Sequence, residues 1–299
     1  MSACTTSSLQ TGATDRLELT LDPLVTTAWL SDHLDDPDLV VLDCTVLVVP
    51  DGNGGIHSVS GRENYDAGHI PTAGFADLMG DLSNLDSPFE FAMPSPEQFS
   101  AAMGALGVGD DSRVVLYAAG YPVWAARVWW MLRWAGFDRV ALLDGGLEAW
   151  KAEGRALSTV SVNRPAKQFT AVPRPEMIAD RDQVFAAIDD NNISLIDTMP
   201  DAHYRGEFAM YERPGHIPSA TNMPSSDLLD ETSHFRSYDE LDMMHNGDRT
   251  SRVITYCGGG VAASAVAFTM NRLGFTDVAV YMRSLQEWTA DPANPMTLE

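Results

Sequence analysis

The sequence predicts an α/β protein built from two related halves, each with a mostly parallel sheet flanked by helices. Segments of the first half recur in the second half in the same order, at offsets of 147, 139 and 138 residues. Each half also alternates short apolar runs with helical stretches. Such runs are typical of buried strands, and their alternation with helices favours a parallel sheet covered by helices.

The recurring segments indicate a duplicated domain. They are Gly-His-Ile-Pro at 68–71 and 215–218, the strand-like segments 112–117 and 251–256, the Gly-Phe to Trp segments 136–150 and 274–288, and the strand ends at 42–43 and 196–197. One short match arises by chance, but four in one order indicate a repeat. Residues that recur in both halves are predicted to be structural. We therefore expect His69 and His216 to bond to backbone, and Asp43 and Asp197 to act as loop acceptors.

The other elements follow in chain order. Thr26 or Thr27 is placed to cap a short first helix, and the β-branched run at 39–43 predicts a buried strand. A Gly-, Asn- and Ser-rich stretch at 51–61 predicts a loop. The apolar helix expected at 123–135 carries four of the seven tryptophans. It is predicted to be buried, with the interface between the halves as one place for it, and its tryptophans to be core.

We expect four parts along the chain. They are a flexible tail at 1–20, a first domain at 21–157, a linker at 158–174 and a second domain at 175–299. The tail is rich in Ser and Thr, and the linker is rich in Ser, Thr, Val and Pro with little periodicity.

Charge and composition exclude several classes of partner. The 299 residues include 42 acidic and 19 basic side chains, for a net charge of −23. This charge repels phosphate backbones and anionic lipid, so we expect neither a nucleic-acid partner nor a membrane partner. No segment resembles a membrane span or a signal peptide, and the default expectation is a cytoplasmic protein.

One segment of the second half predicts chemistry. Cys257 follows a predicted buried strand, and a run of three glycines leads from it into a predicted helix. Glycines let backbone N–H groups converge, and converging N–H groups at a helix N-terminus bind anions. A cysteine in such a cradle is favoured as a thiolate, so Cys257 is predicted to be the catalytic nucleophile. The predicted anion-binding loop comprises Gly258, Gly259, Gly260, Val261 and Ala262.

The other cysteines are predicted to be inert. Cys4 lies in the tail, and Cys44 follows the first strand, where packing is the expected role. The first half has Ala118 at the place of Cys257, so only the second half keeps the nucleophile. Three cysteines without a Cys-x-x-Cys pair predict neither a disulfide framework nor a multi-cysteine zinc site. A small buried apolar residue is the alternative interpretation of Cys257.

Taken together, these motifs resemble the tandem rhodanese-type sulfurtransferases, which include thiosulfate sulfurtransferase and 3-mercaptopyruvate sulfurtransferase. The resemblance rests on the duplicated halves, the two Gly-His-Ile-Pro motifs, Asp-Gly-Gly-Leu-Glu-Ala-Trp at 144–150 and Tyr-Cys-Gly-Gly-Gly-Val at 256–261. It covers about residues 24–290. It implies two rhodanese-like domains, of which the first is inactive and the second is catalytic.

The resemblance also implies an activity and partners. A sulfane sulfur would pass from thiosulfate or 3-mercaptopyruvate, through a persulfide on Cys257, to a thiol or cyanide. A small anionic donor and a thiophilic acceptor are the expected partners, with a thioredoxin-like reductant as a further candidate. The resemblance implies no metal site and no organic cofactor.

The chain departs from the family pattern at several donor-binding positions. Thiosulfate-type members carry cations where this chain has Gly258 and Gly259, and mercaptopyruvate-type members carry a serine at the place of Gly259. An acidic residue of the latter type aligns with Met79, and an arginine of the family aligns with His203. Sulfur transfer is still expected, because these departures concern only the positions that bind the donor. Thiosulfate and 3-mercaptopyruvate both stay open as the donor.

Three arginines are the candidate donor-binding residues. Arg205 and Arg213 lie where family members hold the anionic group of the donor, and a guanidinium suits a carboxylate or a thiosulfonate. Arg283 is expected at the carboxyl edge of the sheet near Cys257, where it would supply a cation that the loop lacks. Surface ion pairs with nearby glutamates are the alternative for these side chains.

Two other functions stay open. A non-catalytic sulfur carrier or regulatory binding module would have a similar glycine loop. A cysteine phosphatase of the cell-cycle type would have an arginine six residues after the cysteine, and this chain has Ala263 there, which disfavours that function.

Overall fold

The computed structural model describes residues 23–52, 55–245 and 247–298, and it contains two parallel sheets of five strands each. Helices follow most of the strands in both halves, which confirms the predicted α/β class. The expected tail at 1–20, with Cys4, lies outside the described residues. Within the described ranges, no helix is long and apolar enough to cross a membrane.

The first half has a sheet in the strand order β1-β7-β6-β2-β5 and a separate antiparallel hairpin of β3 and β4. Its strands are β1 (Leu24–Val25), β2 (Leu39–Asp43), β3 (Val46–Pro50), β4 (Ile56–Ser60), β5 (Gly74–Phe75), β6 (Arg113–Tyr117) and β7 (Val140–Leu143). Its helices are α1 (Thr27–His33), α2 (Arg62–Ala67), α3 (Pro96–Ala105), α4 (Val123–Trp134) and α5 (Gly146–Ala152).

The second half has the strand order β8-β12-β11-β9-β10, which repeats the order of the first sheet strand for strand. Its strands are β8 (Ile178–Ala179), β9 (Ile193–Asp197), β10 (Thr221–Asn222), β11 (Arg252–Tyr256) and β12 (Val278–Tyr281). Its helices are α6 (Arg181–Ala187), α7 (Asp201–Tyr204), α8 (Tyr238–Met244), α9 (Val261–Arg272) and α10 (Ser284–Trp288). The duplication read from the sequence is therefore a duplication of topology.

The histidines that recur in both halves hold the chain locally. Nδ1 of His69 lies 2.8 Å from the carbonyl oxygen of Tyr65, and Nδ1 of His216 lies 2.8 Å from that of Tyr204. Each imidazole also stacks on the ring of the same tyrosine. The predicted structural role of both histidines is confirmed.

One helix from each half forms the interface between them. α4 packs against α9, and the ring of Trp129 meets the ring of Phe268 edge-on at a centroid distance of 4.9 Å. Trp129 and Trp130 are buried, and one apolar cluster runs through both halves. The prediction of a buried, tryptophan-rich helix is confirmed, with its place between the halves. Because burial of apolar surface is the main stabilising contribution, the halves support each other.

Strand register places the residue after β11 at the carboxyl edge of the second sheet. Tyr256, the last residue of β11, pairs with Asp197, the last residue of β9. On the other side, β12 runs parallel to β11 and ends at Tyr281. The carboxyl ends of three neighbouring strands thus meet at one edge, where ligand sites form in parallel sheets.

A buried carboxyl closes the end of β9. Oδ1 of Asp197 accepts a hydrogen bond of 2.8 Å from the backbone N–H of Met199, which confirms its expected role as a loop acceptor. Oδ2 is buried and has no hydrogen-bond partner among the described residues. Burial raises the pKa of Asp197 to about 7. The folded state therefore binds a proton at this carboxyl more tightly than the unfolded chain does.

Replacement of Asp197 by Asn should become more favourable as the pH rises. A carboxyl whose pKa is raised on folding contributes its full stabilisation at pH values below its unfolded pKa. For Asp197 this contribution to the free energy of unfolding is lost as the pH rises through about 7. Thermal unfolding at pH 5 and pH 8 tests this: the midpoint of Asp197→Asn minus that of the parent should be larger at pH 8. Asp66→Asn, at an exposed position of α2, is the control. The prediction would be contradicted if the midpoint difference from the parent changed equally between pH 5 and pH 8 for Asp197→Asn and Asp66→Asn.

Candidate active site

Cys257 lies in the turn between β11 and α9, where hydrogen bonds fix its backbone and its sulfur. Its side chain is buried, and its Sγ accepts a hydrogen bond of 3.1 Å from the backbone N–H of Gly260. Its own N–H donates to Oγ of Ser284 at 3.1 Å. The sulfur is therefore held by one backbone donor, and the role of Cys257 as a nucleophile stays a prediction.

α10 holds the back of this loop. The N–H of Leu285 donates to the carbonyl oxygen of Cys257, and the N–H of Gln286 donates to that of Gly258, both at 3.0 Å. In a planar trans peptide the C=O and the N–H point in opposite directions. The N–H groups of Gly258 and Gly259, which share these two peptide units, therefore point away from α10.

The N-terminus of α9 adds further donors beside the sulfur. Gly260 is the N-cap of α9, with a φ of 78°. The first N–H groups of a helix have no acceptor within it, and the helix N-terminus carries a partial positive charge. The loop and the helix end together form a site that stabilises negative charge on Sγ.

The three loop glycines are required for different reasons. Only Gly260 of the three has a positive φ, so the unusual backbone expected of the loop is found at its end. A Cβ on Gly258 would lie 1.6 Å from the hydroxyl oxygen of Tyr211, and a Cβ on Gly259 would lie 2.4 Å from Nε2 of Gln286. Gly258 and Gly259 thus make room for side chains that pack over the loop.

Replacement of Gly260 by Ala should destabilise the protein and change the reactivity of the Cys257 sulfur. An L-residue in the left-handed region costs about 1–2 kcal/mol, and the new Cβ would lie 2.6 Å from the carbonyl oxygen of Met282. Gly154 has a φ of 70° with no atom near its Cβ position, so Gly154→Ala isolates the backbone cost.

Urea unfolding and the rate of Cys257 alkylation measure the two effects. Gly260→Ala should lose more stability than Gly154→Ala and should also alkylate at a changed rate, whereas Gly154→Ala should alkylate like the parent. The predicted role of Gly260 is wrong if both variants behave alike in both assays.

Cys257 opens into a cavity of about 970 Å³ between the two halves. The lining is mostly apolar and aromatic and includes Val48, Ile56, His57, Glu90, Phe91, Tyr121, Trp124, Met199, Phe208, Met210, Tyr211 and Val261. Glu90 is the acidic residue of this lining, and within the described chain no arginine or lysine lines the cavity. The hairpin of β3 and β4, which has no counterpart among the described strands of the second half, forms part of the lining.

The structure places Arg213 away from this lining. Its guanidinium donates four hydrogen bonds of 2.8–3.0 Å to backbone carbonyls of the C-terminal segment. The acceptors are the carbonyls of Trp288, Thr289, Asp291 and Asn294. This geometry ties down the chain after α10, and the donor-binding role of Arg213 stays a prediction.

The other two candidate arginines form surface ion pairs. Arg205 pairs with Asp201 and Glu207. Arg283 pairs with Glu287 at 2.7 Å and lines a different cavity, of about 530 Å³, between the halves. Exposed ion pairs contribute little to stability, so neither side chain is firmly held. Their role in holding a donor stays a prediction.

A buried histidine stands where the family pattern has an arginine. His203 is fully buried, and neither ring nitrogen has a hydrogen-bond partner among the described residues. Burial lowers its pKa, which favours the neutral ring. The ring packs edge-on against Phe208 and Tyr211, two residues of the cavity wall. This position therefore supports an aromatic wall instead of presenting a charge.

Sequence reasoning missed one cation next to the loop. Arg127 of α4 is buried, and its guanidinium donates to the carbonyl oxygen of Gly260 at 3.3 Å. The signal available in the sequence was a charged residue inside an otherwise apolar, tryptophan-rich helix.

The equivalent loop of the first half is closed by a carboxylate. Ala118 stands at the place of the cysteine, and the N–H of Gly120 donates to Oε2 of Glu148 at 2.7 Å. The matching residue of the second half is Gln286, which is uncharged. Cys44 is buried, and burial raises the pKa of its thiol well above the usual range.

The chain is similar to known sulfurtransferases over most of its length. The Rhodanese-like domain family matches residues 26–153 and 180–291. The chain is 34% identical over 268 residues to the 3-mercaptopyruvate sulfurtransferase of Escherichia coli strain K12, which covers 88% of this chain and 93% of the relative. It is 32% identical over 234 residues to the thiosulfate sulfurtransferase of Gallus gallus, which covers 76% of this chain and 80% of the relative.

Solved structures share the fold. The crystal structure of SseA from Escherichia coli, a 3-mercaptopyruvate sulfotransferase, matches with a TM-score of 0.78 at 32% identity, over 88% of this chain and 99% of that chain. The structure of EanB in complex with ergothioneine matches with a TM-score of 0.80 over 92% of this chain and 70% of that chain. Its identity is 22%, so that likeness concerns the fold alone.

Proposed function

We propose that this chain, which belongs to the rhodanese-like family and is a sulfurtransferase, carries sulfane sulfur as a persulfide on Cys257. The observation that carries this proposal is the position of Sγ: it accepts the Gly260 N–H, lies at the N-terminus of α9 and opens into the cavity. A persulfide is an anion, and the same donors that stabilise a thiolate stabilise its terminal sulfur. Thiosulfate or 3-mercaptopyruvate is the proposed donor.

The first half-reaction loads the cysteine. With thiosulfate, the Cys257 thiolate attacks the outer sulfur, the sulfur–sulfur bond of the donor breaks, and sulfite leaves with the bonding electrons. With 3-mercaptopyruvate, the thiolate attacks the mercapto sulfur, the carbon–sulfur bond breaks, and pyruvate leaves as its enolate and takes up a proton. Both routes give the Cys257 persulfide anion and need no external oxidant.

The second half-reaction returns the cysteine. A thiolate or cyanide attacks the terminal sulfur of the persulfide, the sulfur–sulfur bond breaks, and the Cys257 thiolate is regenerated. The product is an organic persulfide or thiocyanate. The first half-reaction leaves negative charge on the terminal sulfur of the persulfide, and the second leaves it on Sγ of Cys257. In both states an anionic sulfur lies at the loop, whose donors stabilise it.

Cys257→Ser should abolish sulfur transfer and leave the fold intact, because a hydroxyl cannot form a persulfide. Intact-protein mass spectrometry after incubation with each donor should show the mass of one added sulfur in the parent and none in the variant. Cys44→Ser is the matched control, since that thiol is buried and its raised pKa keeps it protonated. Sulfur transfer by folded Cys257→Ser would refute the proposal, as would equal loss in Cys44→Ser.

The relatives of the chain are sulfurtransferases, which disfavours the non-catalytic sulfur carrier that the sequence left open. Steady-state rates with thiosulfate and with 3-mercaptopyruvate identify the preferred donor. A phosphatase is disfavoured, because Ala263 is buried in α9 at the place where that enzyme type needs an arginine.

The cavity favours an organic thiol over cyanide as the acceptor. Four of its lining residues, Val48, Ile56, Phe208 and Met210, are between 44% and 56% exposed, so the mouth presents apolar surface to solvent. The volume of about 970 Å³ is in the range that holds a drug-sized organic molecule. Cyanide would contact little of this surface. Glu90 in the lining disfavours an acceptor that carries negative charge besides its thiolate.

Thiols of similar size and different charge test the acceptor preference. Cysteamine and 2-mercaptoethanol should react with the Cys257 persulfide faster than mercaptoacetate, by roughly tenfold at equal thiolate concentration and low salt, which corresponds to about 1.4 kcal/mol. Glu90→Gln should reduce the difference in rate between mercaptoacetate and the other two thiols. Equal rates for the three thiols, or the fastest rate for mercaptoacetate, would contradict the preference for an acceptor that carries no negative charge besides its thiolate. The thioredoxin-like partner stays a prediction.

A further inference from the structure

Arg127 reaches from the first half into the Cys257 loop of the second half. It lies on α4, is 1% exposed, and donates through Nη1 to the carbonyl oxygen of Gly260 at 3.3 Å and to Sδ of Met282. Nη2 donates to the carbonyl oxygen of Phe91 at 2.7 Å. Gly260 therefore contacts two groups at once: its carbonyl accepts from the guanidinium, and its N–H donates to Sγ of Cys257.

This guanidinium is a buried charge whose hydrogen-bond partners are all neutral. Nε is buried without a hydrogen-bond partner, and no carboxylate forms an ion pair with Arg127 within the described residues. A buried charge is costly unless it is paired. Neutral acceptors offset only part of that cost, so the site favours a nearby anion. The same helix offers a contrast in Arg133, which is paired with Asp138.

The nearby ionisable group is the cysteine itself. Burial lowers the pKa of Arg127 to about 10, and the charge of Cys257 raises it. At neutral pH the guanidinium is therefore protonated. Opposite charges attract, so a protonated guanidinium next to the loop would stabilise an anionic sulfur there.

We propose that Arg127 of the first half is the cation that stabilises the anionic sulfur of Cys257, acting from behind the loop while the substrates approach from the cavity. It is a positioning residue that acts through the Gly260 backbone and through its charge. The proposal assigns a function to the half that lacks a nucleophile, because that half supplies a charge to the catalytic loop. The role of Arg127 toward the persulfide rests on the proposed function, whereas its role toward the Cys257 thiolate does not.

Other charged and titratable groups around the loop define the background of a pH measurement. On the cavity side they are Tyr121, Tyr211, His57 and Glu90, with His203 behind Tyr211. Asp197 and Tyr256 lie at the strand ends. Arg283 precedes α10, and Glu287 lies in that helix. Burial raises the pKa of Tyr121 to about 12 and raises that of Tyr211, so both hydroxyls stay protonated below pH 9.

Alkylation of Cys257 tests the proposal without any sulfur donor. In a Cys4→Ser and Cys44→Ser background, the rate of reaction with iodoacetamide is measured between pH 5 and pH 10. Arg127→Met should move the midpoint of the rate profile upward by at least about one pH unit, since an adjacent opposite charge shifts an ionisation by roughly 1–3 units. Arg127→Lys should retain most of the parent profile, because it keeps the charge. An unchanged midpoint in folded Arg127→Met would overturn the proposal.

Two further variants separate charge from structure. Arg127→Gln can still donate to the Gly260 carbonyl but has no charge, so it should behave like Arg127→Met; a parent-like profile would show a purely structural role. Arg133→Met, on the same helix, should lower the thermal midpoint without moving the alkylation profile. If Arg127→Met does not fold, the comparison of Arg127→Gln with Arg127→Lys decides.

The two proposals can fail separately. Sulfur transfer by Cys257→Ser would refute the persulfide on Cys257 and leave the alkylation profiles valid. An alkylation profile that is insensitive to Arg127, in a protein that loads one sulfur on Cys257, would refute the role of Arg127 alone.

Discussion

A sulfur that is to carry negative charge in a buried position needs backbone N–H donors, and this requirement shapes the elements around Cys257. The N–H of Gly260 is directed at Sγ, and the turn that brings it there has a positive φ that favours glycine. On the other side of the loop, N–H groups of α10 bind the carbonyls of Cys257 and Gly258. The strand, the loop and two helices are thus arranged around one sulfur atom.

The two halves solve this problem in different ways on the same topology. In the first half the loop N–H of Gly120 is bound by the carboxylate of Glu148, so an internal anion already takes the donor. In the second half the matching residue is Gln286, and its neutral amide does not compete with a substrate anion. Duplication therefore left one filled cradle and one that a sulfur anion can use.

Charge in this protein is arranged locally against a strongly acidic background. The net charge of −23 opposes the approach of anions, and the exposed arginines of the second half are largely paired with carboxylates. The cavity wall itself is apolar and aromatic, with His203 buried behind it. Arg127 lies beneath the loop, shielded from solvent, where a positive charge is screened least. Because it belongs to α4, the packing of α4 on α9 is part of the active site as well as of the core.

The sequence alone determined the duplication, the α/β class, the buried strands and the position of Cys257 at a sheet edge, because these follow from local periodicity and from motifs within a few residues. Tertiary structure alone decided that a buried cation contacts the Cys257 loop. Arg127 and Gly260 are 133 residues apart in the chain, and no local pattern links them. The partners of Arg205, Arg213 and Arg283 were also decided by packing, because long side chains bind the acceptors that the fold brings near them. In the structure these acceptors are carboxylates and backbone carbonyls.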